Sequence, residues 1–410
     1  MKKSFFFSII VLFTFYSTTI NASTLLDDND STLTITAGDT TLKTTYIQNA
    51  INYCNTTGGG KVILTPGTYR TAPLSMKSNV NLYLDSGSVL LGSPNMADWT
   101  VGGSLLNLIN NGGKTLTNVT ISGRGTIDGS GAPWWAAYNA NNNLSRPRLI
   151  YISNTTNLTI DSIYIRNSPS FNVVPNNCTN VVIDHVNIFD TAISPNTDGI
   201  DPSNCKNVLI TNCTVDVGDD CIAIKAGRNN GSLSPGTCQD ITVANCTFKH
   251  GHGVSIGSET DDGMLNLRVT GCTFNGTTNG IRVKSGAGLG GLCQNLYYSN
   301  ITMSKVTNPI VVDMNYSTST TYPTDIPSVN GMYINNLTVT GASNAGTFAG
   351  ITNGLVQNVV LSNVNITATT GKMTFTNAAG ITMNNCIINK NPAKAGTNVT
   401  LTNVTGTRGF

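Results

Sequence analysis

A short β-rich phrase recurs along most of the chain, and it constrains the fold more than any other feature. Each copy opens with Asn or Asp, followed by two or three alternating apolar positions. The copies start at Asn118, Asn157, Asn180, Asn207, Asp240, Asn266, Asn295, Asn330, Asn358 and Asn398. From Asn157 onward the steps are 23, 27, 33, 26, 29, 35, 28 and 40 residues. A period of this size, built from short β segments, is typical of a solenoid in which each repeat packs on its neighbours.

The pattern inside each repeat predicts the kind of solenoid. β-branched residues occur at period two with almost no helical periodicity, so we predict an all-β, parallel β-helix. Strands of successive coils should stack about 4.8 Å apart. Asn recurs at one phase because its amide can stack as a ladder and because it tolerates left-handed backbone.

One segment departs from the β pattern. In residues 44–55, the apolar residues Ile47, Ala50, Ile51 and Cys54 fall at helical spacing. This predicts a short amphipathic helix that caps the open end of the solenoid. No linker of distinct composition divides residues 23–410, so we expect one domain.

The N-terminus predicts the compartment. Residues 1–22 contain two lysines and an apolar run from Phe5 to Tyr16, and the small pair Ala22-Ser23 spans the end of this segment. This is the layout of a secretory signal peptide cleaved after Ala22. The alternative is an anchor helix, which would need about 20 apolar residues. We therefore expect a secreted, extracellular protein with no membrane association after cleavage. Its ten cysteines can then be bridges or buried free thiols.

The charges are few and balanced. Only 11% of residues are charged, against a usual share of about a quarter. Lys and Arg number 23 and Asp and Glu 21, so removal of Lys2 and Lys3 leaves 21 of each sign. A nucleic-acid binder that relies on a broad basic field is excluded, because such binding needs many cations.

The scarce polar groups fall at roughly one-coil spacing. Residues one period apart are neighbours in a stack of coils, so such groups converge on one face. The groups concerned are Asp198, Asp219, Asp220, His252, Arg282, Lys284 and Tyr316. Singly, each has an ordinary explanation, such as a turn, half of a calcium site, a solvated face or a cap. Jointly, they predict a functional stripe.

The types of residue in this stripe indicate a chemistry. Crowded carboxylates raise one another's proton affinity. Glycosidic bond hydrolysis needs one protonated carboxyl for the leaving oxygen and one ionised carboxylate. Arg282 and Lys284 alternate with Val283, so both point to the same side of their strand and suit a carboxylate on the substrate.

Four motifs in this stripe resemble a known family. Asn196-Thr-Asp198, Gly218-Asp-Asp220, Gly251-His-Gly253 and Arg282-Val-Lys284, in this order, look like the signatures of the polygalacturonases. These are pectin-cleaving glycoside hydrolases of family 28, built on right-handed parallel β-helices of the pectin-lyase-like type. The likeness extends from Gly58-Gly-Gly-Lys-Val to Pro309-Ile-Val-Val-Asp313. Val283 stands where isoleucine is usual.

The resemblance implies an inverting hydrolase of the α-1,4-galacturonosidic bonds of pectin, working as a monomer without metal or cofactor. Asp219 would be the general acid, while Asp198 and Asp220 hold and activate the attacking water. The acid should then stand about 6.5–9.5 Å from the base. His252 would keep Asp219 suitably protonated or touch the sugar.

The resemblance also implies the binding residues. Arg282 and Lys284 would bind a galacturonate carboxylate, and Tyr316 would line the subsite beside the cleaved bond. Asn196 would position the acids or a substrate hydroxyl. The usual bridge of the family corresponds to Cys221 and Cys238.

Several alternatives stay open at this point. The match around residues 251–258 and 275–285 favours cutting within chains, but the segment 227–237 lengthens one coil and would suit an exo-polygalacturonase or a related pectin-backbone hydrolase. A β-helix lyase that uses calcium would cleave the same polymer by elimination. A non-catalytic β-helix adhesin or carbohydrate-binding protein would not need the three aspartates.

Overall fold

The computed structural model describes residues 26–27, 30–35, 41–228 and 238–410. The predicted signal peptide lies outside these residues, as does most of segment 227–237. Over half of the chain is β-strand, and strands of successive coils pair almost entirely in parallel. The coils form the right-handed parallel β-helix that the sequence predicts. No helix in the described ranges is long and apolar enough to cross a membrane.

Each coil crosses three sheets, named here in the order in which the chain visits them. The first sheet contains Leu74–Ser75, Ile109–Asn110, Ile150–Ser153, Val173–Asn176, Ile222–Ile224, Val254–Ile256, Asn279–Lys284 and Asn308–Asp313. The second contains Asp30–Ile35, Gly60–Leu64, Val80–Leu84, Leu116–Gly123, Thr155–Asp161, Thr179–Asp184, Lys206–Thr211, Cys238–Ala244 and Met264–Thr270. The third contains Gly67–Thr71, Ser88–Gly92, Thr126–Asp128, Tyr164–Arg166, Asn187–Phe189, Thr214–Asp216, Thr247–Phe248 and Thr273–Asn275.

The remaining strands lie towards the two ends. Long strands that run through the corners form the C-terminal coils: Leu292–Ser304, Ser328–Ala349, Val356–Ile388 and Val399–Thr405. Short antiparallel pairings involve Leu26–Asp27, Thr100–Val101 with Ser104–Leu105, and Asn391–Pro392.

The core is a set of stacked apolar columns inside the coils. Ile183, Ile210 and Val243 are fully buried and pair in register on successive strands of the second sheet. Each such side chain contributes about 1.5–3 kcal/mol through burial. Because every coil repeats this column, the core is continuous along the solenoid axis.

The predicted capping helix is present. Helix α1 spans Thr44–Thr56 and buries Ile47, Ala50, Ile51 and Cys54 against the first coils. The Gln48 side chain accepts from the backbone N–H of Ser75 at 2.7 Å and donates to its carbonyl at 2.9 Å. The helix therefore buries its apolar face, and its Gln48 side chain also satisfies the backbone hydrogen-bonding groups of Ser75 at a strand edge.

The Asn ladder predicted from the repeat is also confirmed. Asn157 donates through Nδ2 to Oδ1 of Asn118 at 2.9 Å, and Asn180 donates to Asn157 at 3.0 Å. Asn207 donates to Asn180 at 3.1 Å. These four residues have φ between 54° and 61°, the left-handed region that Asn tolerates.

A second helix, α2, was not predicted. It spans Ala132–Ala140 in a segment that leaves the coil between the third and first sheets. Trp134 packs edge-on against Trp99, with ring centroids 5.7 Å apart, and Trp135 donates Nε1–H to the carbonyl of Ser168. This anchoring places Tyr138 beside the first sheet.

Cys221 and Cys238, the two cysteines expected to form a bridge, are both buried. All ten cysteines lie in the described ranges and are buried thiols there. Cys221 immediately precedes a first-sheet strand and donates its S–H to the carbonyl of His250, whereas Cys238 begins a second-sheet strand. The two residues thus belong to different sheets, and the Cys221–Cys238 pairing stays a prediction.

Candidate active site

The site lies at the corner where each coil passes from the third sheet to the first. The backbone N–H of Gly199 donates to the carbonyl of Asp220 at 2.9 Å, and His252 N–H donates to the carbonyl of Asp219 at 2.9 Å. Three successive corners are therefore in register. Gly251 has φ +94°, and a Cβ there would lie 2.3 Å from the carbonyl of Asp219, so the close approach requires glycine.

Asp220 is the buried centre of the site. Its side chain is 0% exposed and accepts from Ser255 Oγ at 2.7 Å, Arg282 at 3.2 Å and Lys284 Nζ at 2.7 Å. Arg282 and Lys284 are themselves buried, and they lie on the same side of the strand Asn279–Lys284. A buried carboxylate is tolerated only with such partners.

Tyr316 covers the cation pair. Its ring centroid lies 5.1 Å from the Arg282 guanidinium carbon and 5.3 Å from Lys284 Nζ, in cation–π contact. The Tyr316 N–H donates to the carbonyl of Ser285, which ties this coil to the preceding one. With Asn308 and Asp313, these residues line a recess of about 320 Å³, named here the C-terminal recess.

Asp219 faces the open side of the same corner. It accepts from His252 Nδ1 at 3.1 Å, from its neighbour's N–H at 2.9 Å and from Asn196 Nδ2 at 3.4 Å. Burial works to raise the pKa of Asp219. The hydrogen bond and charge of His252, with the charge of Lys284, outweigh burial and hold this pKa below its ordinary value.

Asp198 lies on the preceding coil and has the opposite tendency. Burial, followed by the charges of Asp201, Asp219 and Asp220, raises the pKa of Asp198 well above its ordinary value. Burial likewise raises the pKa of Asp201 to about 7, although the nearby Lys225 charge opposes this. The Asp198–Asp201 pair therefore has a higher proton affinity than Asp219 in the free protein.

Exposure separates the three predicted carboxylates. The Asp219 side chain is 24% exposed and that of Asp220 0%. Asp198 as a residue is 4% exposed. Asp219 is thus the member of the trio that a ligand in the cleft can touch.

The two adjacent carboxyls lie close to the imidazole. One oxygen of Asp219, one oxygen of Asp220 and one ring nitrogen of His252 lie within 4.8 Å of one another, while the separation of about 6.5–9.5 Å between acid and base stays a prediction. The carboxyls are close because Asp219 and Asp220 are consecutive in the chain. Their closeness does not make a favourable cation site, because Arg282 and Lys284 already neutralise Asp220.

A second recess lies on the other side of Asp219, towards the N-terminal coils. It has a volume of about 360 Å³, and its lining includes Tyr138, Arg146, Arg148, Phe171 and Asn196. We call it the N-terminal recess. The Arg148 guanidinium lies 5.6 Å from the Phe171 ring centroid. Asn196 in this recess contacts Asp219, and Arg282 and Lys284 in the C-terminal recess contact the adjacent Asp220, so Asp219 lies between the two recesses, which are together called the groove.

The family Glycosyl hydrolases family 28 matches residues 76–386, about three quarters of the chain. The chain belongs to glycosyl hydrolases family 28. This glycoside hydrolase is 34% identical over 311 residues to an endo-polygalacturonase of Pectobacterium carotovorum, covering 70% of this chain and 75% of that protein.

Solved structures of family 28 share the fold. A polygalacturonase from Erwinia carotovora superposes with a TM-score of 0.69 at 28% identity, covering 97% of each chain. An exopolygalacturonase from Thermotoga maritima has a TM-score of 0.72 at 22% identity, covering 88% of this chain and 93% of that one. The second similarity concerns the fold alone.

The structure brings all eight predicted site residues of this family 28 protein together, from Asn196 to Tyr316. The sequence analysis did not identify four polar neighbours of these residues, although the sequence spacing could have indicated three of them. Asp201 follows Asp198 by three residues, Ser255 precedes Arg282 by 27 and pairs with it in register, and Lys225 adjoins Asp201. Arg146 has no such spacing, because it lies in the irregular segment that follows α2.

Proposed function

We propose that this family 28 hydrolase is a secreted polygalacturonase that cleaves the α-1,4-galacturonosidic bonds of polygalacturonate. The observation that carries the proposal is a partly exposed carboxyl, Asp219, next to Asp220, whose carboxylate contacts the cation pair Arg282–Lys284. Arg282 has N–H donors beyond the one that reaches Asp220, and these suit a uronate carboxylate. Tyr316 offers a ring face beside that position.

Asp219 is the proposed general acid, since its exposure lets it reach a glycosidic oxygen. In the free protein its pKa is held low by His252 and Lys284. A uronate carboxylate bound beside Arg282 and Lys284 adds negative charge, and added negative charge raises the proton affinity of Asp219. The substrate itself thereby favours the protonated acid.

Asp220 and Asp198 are the proposed residues that hold and activate water. Because the pKa of Asp198 is raised, Asp198 must lose its proton before it can act as a base, whereas the donors around Asp220 stabilise its carboxylate. Three donors stabilise the Asp220 carboxylate, and its 0% exposure keeps it from reaching a sugar carbon as a nucleophile. Attack by water, and hence inversion, fits this burial better than a covalent intermediate. Asn196 and His252 position Asp219 through their hydrogen bonds.

The groove favours endo action. Recesses of about 360 and 320 Å³ lie on opposite sides of Asp219. Both carry cations, Arg148 in one and the Arg282–Lys284 pair in the other, which suits an anionic chain that extends in both directions. We further propose cleavage of residues 1–22 on export and a monomeric catalytic domain over residues 23–410.

The test is Asp219→Asn. This variant should release no measurable reducing ends from polygalacturonate while its circular dichroism spectrum matches that of the unaltered protein. Asp161→Asn on the second sheet is the matched control and should retain activity. Activity at the control level in Asp219→Asn would contradict the assignment of the acid.

Products decide the finer points. Proton NMR of the first-formed product should show the inverted anomer, and the retained anomer would exclude the water-activating roles. Early time points should contain a ladder of oligomer sizes. Monomer or dimer alone from the start would favour exo action instead.

A further inference from the structure

Arg146 stands out as a half-buried cation at the edge of the groove. Its NH1 donates to the carbonyls of Pro169 at 2.8 Å and Pro195 at 2.6 Å, and its NH2 donates to Oδ1 of Asn196 at 2.7 Å. Its guanidinium carbon lies 3.7 Å from the ring centroid of Tyr138. Within the described residues, these hydrogen bonds all go to neutral oxygens, so no carboxylate offsets the free-energy cost of partly burying the Arg146 charge.

The contact with Asn196 fixes the orientation of an amide. An Asn side chain has an accepting oxygen and a donating NH2 that exchange places on a 180° flip. Arg146 can only donate, so Oδ1 of Asn196 must face it. Nδ2 is then left to face Oδ2 of Asp219, at 3.4 Å.

This orientation matters for the proton of the acid. A flipped amide would turn its oxygen towards Asp219. A protonated Asp219 would then donate its O–H to that oxygen, so the proton would be held in a hydrogen bond to Asn196. The observed amide instead offers N–H, which stabilises the ionised form and leaves a proton on Asp219 free to point elsewhere. We propose that Arg146 is a positioning residue that keeps the NH2 of Asn196 towards Asp219 and so determines where the acid carries its proton.

Other charges also face Asp219 and are common to all variants tested. They are Asp198 and Asp201 from the preceding coil with Lys225, Asp220 from the same corner, and His252, Arg282 and Lys284 from the following coils. Because none of them contacts Arg146 in the described structure, a change at Arg146 acts on Asp219 through Asn196 and through its own charge.

The first experiment follows Asp219 directly, without substrate. Protein labelled with 13C at the aspartate carboxyl is titrated by NMR, and the Asp219 signal is assigned by its loss in Asp219→Asn. Arg146→Met should raise the pKa of Asp219 by about half a unit to one unit. Arg146→Lys keeps the positive charge but loses the planar guanidinium with its several N–H donors, and should give a smaller rise in the pKa of Asp219. Arg268→Met, on the outer face of the second sheet over Tyr297, is the matched control and should give none.

A double-mutant cycle separates positioning from loop support. Asn196→Gly removes the amide and keeps the left-handed backbone, since Asn196 has φ 52°. In this background, Arg146→Met should add only the small charge effect. An Asp219 titration that is unchanged by Arg146→Met would overturn the proposal. If Arg146→Met fails to fold, Asn196→Gly alone must raise the pKa of Asp219, and an unchanged value would equally overturn it.

The kinetic readout rests on the proposed function. In Arg146→Met, kcat on polygalacturonate should fall about tenfold or more, and the basic limb of kcat/KM should move to higher pH. A uniform fall at every pH, with no movement of the limb, would show that Arg146 only supports the loop. Absence of activity in the unaltered protein would refute the polygalacturonase assignment, while the NMR titration would still decide the role of Arg146.

Discussion

Binding of a uronate should raise the proton affinity of Asp219, and Coulomb's law gives the order of magnitude of the change. In the free protein, His252 and Lys284 hold the pKa of this carboxyl low. A substrate carboxylate on the cation pair adds one negative charge. At a separation of about 6–8 Å and an effective dielectric constant of about 20, one charge contributes about 2–3 kcal/mol. This corresponds to about 1.5–2 pKa units.

The assay compares two pH profiles. As general acid, Asp219 must be protonated, so rates fall as pH rises through its pKa. The profile of kcat/KM reports the free enzyme, whereas that of kcat reports the complex. The basic limb of kcat should therefore lie about 1.5–2 pH units above the basic limb of kcat/KM.

A neutral substrate provides the control. Oligogalacturonate with methyl-esterified carboxyls carries no charge to the cation pair, so its two limbs should lie closer together. Coincident limbs with the charged substrate, or a kcat limb at the lower pH, would refute the electrostatic reasoning. In that case, the substrate carboxylate would not be what favours the protonated form of Asp219 in the complex.

Three further outcomes test the fold. Burial raises the pKa of Asp190 and Asp201 to about 7 each, so both bind protons in the folded state that the unfolded chain releases above about pH 4. The melting temperature should accordingly fall as pH rises from about 5 to about 8, and a rising profile would contradict these shifts. Asn180→Ala should lower the free energy of unfolding by about 2–3 kcal/mol and Asn180→Gly by about 1 kcal/mol. Both variants lose the two ladder hydrogen bonds of Asn180, but only alanine is also strained in the left-handed backbone conformation. Equal losses in urea unfolding would exclude the backbone contribution. Alkylation under denaturing, non-reducing conditions should modify all ten cysteines, whereas eight adducts by mass spectrometry would indicate a bridge.

The repeat explains why so much of the site was predictable. In a solenoid, a separation of one period in sequence means adjacency in space, so residues from Asp198 to Tyr316 could be placed side by side without a structure. The same periodicity predicted the Asn ladder. Helix α1 was predictable for a different reason, since its four apolar residues follow helical spacing.

Segments that leave the coil do not obey this rule. Arg146 contacts Asn196 from 50 positions away, after a helix and a loop that follow no period. The sequence could not indicate which sheet Cys221 and Cys238 occupy, so their pairing rests on the resemblance alone and stays a prediction. The opposite pKa shifts of Asp198 and Asp219 depend on burial and on neighbouring charges, which spacing does not reveal.

The Asn ladder has a direction, and this limits how damage spreads along it. Each rung donates to the rung of the preceding coil, so a rung without an N–H severs the line on its N-terminal side only. Asp240 is such a rung, because it accepts from Asn266 at 2.8 Å but its carboxylate has no N–H to donate to Asn207. Deamidation of any other Asn in the line would create the same one-sided break. Chemical ageing at one rung would therefore loosen a single junction and leave the rest of the column connected.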